Sequence, residues 1–453
     1  MSMLTLHADA LRQLLEHSPG DNARLARVSQ AMRGRLSVLE PKPPLWFHVL
    51  LDQYPQATDS QRRESMLLQL EMQARRFRLL SIEMPGFDVD EDVSTAINIH
   101  APERGGPRLA AVLALHCAAL ESLDLSTTGI TRWTEIRNAL HQTPALQRVN
   151  LSGNTFGRGN HPFTWLSHCR GLRELVLEDS DIGRVCRQLA PVLARCTALT
   201  KLSLAGNKLS YLEMENGQMP VPPVCVLQRL TDALMHHPSL EHLDLTGCEL
   251  SPTGITLLVA ALPTMLRLER LILTTNGLTA IRIGQLGAML VNCPSMRHLD
   301  VRDNVEIANA GLLALVASQG LRGLASLDVS QCLIDCIGPG GRSGTTGPQV
   351  PFLAELALCP RLQALDLSFN NLGDTFVRAL ARMLETWPLL ERLDLSSTIM
   401  TDRGVAALAL AIPRCPGLVR LNIMRNSCQP ETARQIREAW RTTHGNTDGL
   451  WMD

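Results

Sequence analysis

Lysine is almost missing from this chain. Lys42, Lys201 and Lys208 are the only three in 453 residues, so the 43 basic residues include 40 arginines. Aromatic residues are also scarce, at 4% with two tyrosines. A core without rings must be filled by Leu and Ala, which suits small stacked units. No charge of either sign is in excess, since the formal net charge is -1. That argues against a general attraction to nucleic acid or to an anionic membrane. Apolar runs stay well short of the ~18 residues that a membrane-spanning helix needs. The start of the chain lacks the basic-then-apolar pattern of a signal peptide. There are 12 cysteines, but a chain this long is no small disulfide scaffold, so a reducing, cytoplasmic compartment is expected.

A repeat fills the rest of the chain. From Leu120 onward the pattern L-x-x-L-x-L-x-x-N-x-L recurs, most clearly at Leu199, Leu202, Leu204, Asn207 and Leu209. Leu268, Leu271, Leu273, Asn276 and Leu278 form another copy, as do Leu362, Leu365, Leu367, Asn370 and Leu372. Successive copies begin at Leu120, Leu146, Leu172, Leu199, Leu240, Leu268, Met296, Leu324, Leu362, Leu390 and Leu418, with most steps between 26 and 28. Such a constant period is the mark of a solenoid. The L-x-L core of each copy alternates like a short strand with one buried face. The Asn position turns the chain and satisfies backbone groups that would otherwise be buried unpaired. Thr128, Ser180, Cys248, Cys332 and Thr398 replace it, and those turns are expected to be less tightly bonded.

The second half of each repeat reads as helix, for example Thr253 to Leu262, Asn309 to Ala317 and Asp402 to Ala411. Pro144, Pro238, Pro294, Pro360, Pro388 and Pro416 stop these helices two residues before the next repeat begins. Strand, turn and helix in each unit predict an α/β leucine-rich-repeat solenoid, a horseshoe with a parallel sheet inside and helices outside. The repeats resemble the ribonuclease-inhibitor-like class over about residues 120–430. Gly404, Val405, Ala406, Ala407, Leu408 and Ala409 are also similar to the helix signature of GALA proteins. That resemblance implies a bacterial effector acting in the cytoplasm of a host cell.

Four segments follow: 1–40, 41–110 as a helical bridge or cap, 111–430 as about eleven repeats, and 431–453 as a cap helix with a flexible tail. Two repeat steps are long, at 41 and 38 residues. They place insertions near Ser210–Pro223 and Asp335–Val350, each either a binding loop or a tolerated one. In the bridge, Ser60–Leu80 is expected to be an arginine-rich amphipathic helix with a solvated basic face.

Residues 1–40 resemble an F-box. Leu6, Asp9, Leu11, Leu14, Leu15, Asp21, Leu25, Val28 and Ser29 match its pattern, while His7, Ser18 and Met32 depart from it. The resemblance implies that Leu6, His7, Asp9, Leu11, Leu14 and Val28 would touch a Skp-type adaptor of a ubiquitin ligase. The shortage of lysine would then fit avoidance of ubiquitin attachment, although a GC-rich gene produces the same bias. The other reading is a helical cap that shields the first repeat.

Nothing in the chain points to catalysis or to a bound cofactor or metal. Cys117, Cys169, Cys196, Cys293, Cys359 and Cys415 keep phase with the repeat, so they read as a buried stack rather than as ligands or nucleophiles. Gly338, Gly340, Gly341 and Gly344 lack the lysine of a phosphate loop. Function is therefore expected in binding a protein on the concave face. Arg148, Lys201, His242, Arg270, His298, Arg392 and Arg420 form a basic row there, beside an acidic one of Asp124, Asp244, Asp300, Asp328, Asp366 and Asp394. The two rows can pair with each other across strands. Residues that break the pattern are the better binding candidates: Glu178, Asp179, Arg302, Asp303, Phe369, Met424 and Arg425. Two classes of function stay open, a substrate receptor that recruits a ligase and a plain binding or inhibitory scaffold.

Overall fold

The computed structural model describes residues 44–48, 78–83, 109–110, 113–114, 118–128, 133–156, 162–210, 226–235, 237–336 and 349–452. The F-box-like segment and the middle of both insertions lie outside these residues.

One parallel sheet of 14 strands joins the described residues, its strands hydrogen-bonded in strict chain order. Eleven of them are the three-residue strands of the repeats: β3 (Ser122–Asp124), β4 (Arg148–Asn150), β5 (Glu174–Val176), β6 (Lys201–Ser203), β7 (His242–Asp244), β8 (Arg270–Ile272), β9 (His298–Asp300), β10 (Ser326–Asp328), β11 (Ala364–Asp366), β12 (Arg392–Asp394) and β13 (Arg420–Asn422). The central residue of each of these strands, leucine in all but β4 with Val149, is level with the next, as in Leu327, Leu365 and Leu393, and points into the core.

Helices follow most strands, among them α1 (Trp133–Leu140), α2 (Cys186–Leu193), α3 (Val226–Leu234), α4 (Pro252–Ala261), α5 (Ala280–Leu290), α6 (Ala308–Ala317), α7 (Gln349–Leu356), α8 (Gly373–Met383), α9 (Asp402–Ala411) and α10 (Pro430–His444). Adjacent strands need ~4.8 Å and adjacent helices ~8–10 Å. A stack with strands on one side and helices on the other must therefore curve around its sheet. Tight helix packing shows at Gly320, where an added Cβ would lie 2.1 Å from the Gly287 carbonyl oxygen at the α5 helix.

The sheet extends beyond the recognised repeats at both ends. β1 (Pro44–His48) and β2 (Arg78–Glu83) precede β3, with Phe47, Ile82 and Leu123 in register. The segment 41–110 therefore contributes strands, and Arg78–Leu80, expected at the end of a helix, are sheet. Ile82 and Phe47 stand where the repeat has leucine, which hides these copies from a leucine pattern. At the other end β14 (Leu450–Trp451) pairs with β13. The expected flexible tail thus folds back after α10, which caps the core with Ile436 and Trp440.

The turns also differ from expectation. The Asn276 Nδ2 donates to the Leu245 carbonyl of the preceding repeat at 2.7 Å. Its Oδ1 accepts from the amides of Cys248 and Leu250, also in that repeat. Asn207, Asn304, Asn370 and Asn426 do the same for the repeats before them. Each substituted position is followed by an asparagine in the next repeat, so the turn at Ser180, Cys248, Cys332 or Thr398 is served from there. Thr128 and Thr398 also donate to the carbonyl three residues back, both at 2.8 Å. These turns are fully bonded, because the ladder needs an amide side chain only in alternate repeats.

Candidate functional site on the concave face

The concave face carries two rows, and the register fixes their neighbours. One row runs Arg148, Glu174, Lys201, His242, Arg270, His298, Ser326, Ala364, Arg392, Arg420. The other ends in four consecutive aspartates, Asp300, Asp328, Asp366 and Asp394, followed by Asn422.

Among the described residues the aspartates make no ion pair with the basic row. Each turns one oxygen onto its own turn. Asp328, Asp366 and Asp394 Oδ1 accept from the amide and hydroxyl of Ser330, Ser368 and Ser396. A bond to a residue two places on needs no long side chain to be held still, so it wins over a cross-strand ion pair. Among the described residues the face's cross-strand ion pair lies within the basic row, Lys201 to Glu174 at 2.5 Å.

Crowding shifts the titration of both rows. Burial, then Asp328 and Asp394 alongside, push the Asp366 carboxyl up to about 6. Asp328 is raised by burial and by Asp300. His242 and His298 are lowered by burial and by Arg270.

The rows change character at β10 and β11. Ser326 and Ala364 interrupt the run of Lys201, His242, Arg270 and His298, which resumes at Arg392 and Arg420. Their small side chains open a notch of about 260 Å³, lined by Asp328, Asp366 and Asp394 and walled by Arg392, Arg420 and Trp451. Trp451 is 48% exposed. This notch was not read from the sequence. The interrupted basic row was a usable signal, whereas Trp451 joins only because β14 forms.

The residues singled out earlier sit along the rim, on the turns after the strands. Glu178 accepts from Ser203 Oγ at 2.6 Å, and the Asp179 amide donates to the Ala205 carbonyl. The Arg302 amide donates to Asp300. Asp303 accepts from Thr275 and from Gln331, linking three turns. Phe369 and Arg425 come together, the guanidinium carbon 5.9 Å from the ring centre. Met424, 41% exposed, precedes Arg425. The pairs Glu178–Asp179, Arg302–Asp303 and Phe369–Arg425 are separate places on the solenoid rather than one site. Exposed apolar residues recur on the C-terminal turns: Leu333, Phe369, Ile399 and Met424. Phe369, Leu333 and Ile399 hold φ of 55°, 55° and 59°. That left-handed region is costly for bulky side chains, above all for a β-branched one.

The cysteine row behaves as packing. Burial pushes Cys169 and Cys359 up to about 12 and Cys196 and Cys293 to about 11. Cys359 donates to the Leu321 carbonyl at 3.3 Å. Thiols so raised supply almost no thiolate at neutral pH. Among the described residues no group of three or more His, Cys, Asp or Glu could hold a metal, and no helix is long and apolar enough to cross a membrane.

A parallel sheet of repeat strands, an asparagine ladder and an outer layer of helices define a leucine-rich-repeat protein. Comparison with known proteins agrees: the family described as Leucine Rich repeat matches residues 236–259, 292–316, 359–381 and 388–409. The chain is similar to NACHT, LRR and PYD domains-containing protein 5 of Bos taurus, 34% identical over 314 residues, 63% of this chain and 28% of that protein. It is 30% identical to human NACHT, LRR and PYD domains-containing protein 12, over 54% of this chain and 24% of that protein. It is 28% identical to tubulin-specific chaperone E of Bos taurus, over 42% of this chain and 32% of that protein. The chain spans 20% to 32% of the length of such curated relatives. Among solved structures, an internalin from Listeria monocytogenes aligns with TM-score 0.37 and 15% identity, covering 86% of this chain and 88% of that one. The TLR13–ssRNA13 complex aligns with TM-score 0.44 and 19% identity, covering 71% of this chain and 45% of that one.

Proposed function

We propose that the protein is a non-catalytic binding scaffold whose concave face and C-terminal rim hold a partner protein. The exposed apolar rim of Leu333, Phe369, Ile399 and Met424 carries this reading. Large apolar side chains in left-handed turns serve neither the turn nor the core. Aromatic and apolar anchors beside charged groups are the usual makings of a binding hot spot. The four aspartates favour a protein over a phosphate backbone. The ten described cysteines form no disulfide, which supports a reducing cytoplasm for such a scaffold, that of a host cell if the protein is an effector. The test is purification of bound proteins with the full chain, followed by the Phe369→Ser, Met424→Ser double variant. The reading fails if every captured protein stays bound with unchanged affinity while variants across the remaining concave face are equally silent.

The sequence pattern of Leu6, His7, Asp9, Leu11, Leu14 and Val28 supports a second reading, in which the scaffold recruits a Skp-type adaptor. In that case the His7→Ala, Asp9→Ala double variant loses adaptor capture and keeps its thermal midpoint. If the full chain captures no purified adaptor at micromolar concentration, the segment is a cap.

A further inference from the structure

We propose that the notch at β10 and β11 receives a lysine or arginine side chain from an extended segment of the partner, while an apolar residue of the same segment rests on Phe369. This rests on the scaffold reading above and names the chemistry of its partner.

Three observations carry it. The first is charge. Asp328 and Asp366 each commit Oδ1 to their own serine. Among the described residues no donor bonds to Oδ2 of either one. Their strands are neighbours, so the two carboxylates stand about 5 Å apart along the sheet. A cation between them would relieve both. Asp124 and Asp394, by contrast, have Oδ2 occupied by the amides of Asn150 and Asn422.

The second is space. Ser326 and Ala364 leave room for one long side chain, in a notch of about 260 Å³. Arg392 and Arg420 line one wall, yet among the described residues neither makes an ion pair with the aspartates. They stand in the other row, two residues along from the carboxylates. Trp451 also lines the notch, and an aromatic ring suits a cationic side chain.

The third is the rim. Phe369 follows Asp366 by three residues, so the two lie at most ~10 Å apart across the turn. A partner segment lying along the sheet can reach both with side chains two to four places apart. The alternative occupant, nucleic acid, would set its phosphates over the paired carboxylates.

The test selects a randomised displayed heptapeptide library on the full chain. Enriched peptides are synthesised with a fluorophore and measured by anisotropy. We expect Lys or Arg two to four places from an apolar residue. Asp328→Asn with Asp366→Asn should weaken binding at least tenfold, Phe369→Ser at least threefold, and acetylation of the peptide lysine about as much as the double change. Asn150 and Asn422 already occupy the same strand position, so the Asn variants should fold, which their thermal midpoints check. Binders that lack basic residues, or that survive the double change, overturn the proposal. If such binders are lost instead on His242→Ala with Arg270→Ala, the concave-face reading stands without the notch. If no binder depends on any concave or rim residue, both fall. A single-stranded RNA oligomer that binds and displaces the peptides overturns the choice of a protein partner.

Discussion

Asn422 donates its Nδ2 to Asp394 Oδ2 at 2.7 Å, while its own Oδ1 accepts the Met424 amide at 3.1 Å. An amide at this strand position therefore does what a carboxylate does for the turn and also quiets the carboxylate beside it. Asn150 repeats the arrangement with Asp124.

Asp366→Asn should consequently stabilise the protein. The Asp366 carboxyl is raised to about 6, above an unfolded value of roughly 3.9. Its protonated form favours the fold, a contribution fully present below pH ~4 and lost as pH rises through 6. At pH 7.5 the ionised group burdens the native state. Replacing it should gain on the order of 1–2 kcal/mol there and flatten the stability profile between pH 4 and 6. Urea unfolding at pH 4, 6 and 7.5 checks this; equal loss at all three would contradict it.

Asn276→Ala should be among the most damaging single changes in the turns. It removes the partner of the Leu245 carbonyl and of the Cys248 and Leu250 amides, all within the preceding repeat. Each buried group left unpaired costs about 1–3 kcal/mol, so a loss of roughly 3 kcal/mol or more is expected. Thr128→Val should cost less, because that hydroxyl donates chiefly to one carbonyl. Hydrogen exchange should show protection lost at Cys248 and Leu250, not only at residue 276.

Gly320→Ala tests the helix layer. The new Cβ would lie 2.1 Å from the Gly287 carbonyl oxygen, and that backbone can yield only by moving the α5 helix. Overpacking of this kind costs about 1–3 kcal/mol. Gly171→Ala meets nothing within 4 Å and should leave the thermal midpoint within about 1 °C. Similar midpoints for the two variants would contradict the packing described.

The cysteines offer a chemical check. Cys169, Cys248, Cys332 and Cys359 are raised to about 12 by burial. At pH 7.5 they should react with iodoacetamide at least ~100-fold more slowly than a free thiol, and at the ordinary rate in denaturant. Peptide mapping by mass spectrometry reads each site; rapid labelling of Cys359 in the native protein would count against its burial.

The repeat was legible because its leucines recur at a near-constant step and prolines mark six of its helix ends. Candidate binding residues were only partly legible. Phe369 and Arg425 broke the pattern and do meet across 56 positions of chain. Glu178 and Arg302 broke it too, yet each is engaged within its own neighbourhood. A residue's departure from a repeat says nothing about which turn's hydrogen bonds it serves.

By itself the sequence determined the period, the inward leucines, the strand–turn–helix order and so the solenoid. These follow from local spacing, because a period of 28 with L-x-L in each copy can bury its leucines only by stacking on the next. Tertiary structure alone decided what lies beside what across the strands. It brought β1, β2 and β14 into the sheet although their residues lack the leucine pattern. It passed the hydrogen bonds of each Ser, Thr or Cys turn to the asparagine one repeat on. It also set Asp328 against Asp366 with Ser326 and Ala364 beneath a gap. At the notch, lateral register joins residues 28 and 38 positions apart, and the charge and space between them exist only once the strands are side by side.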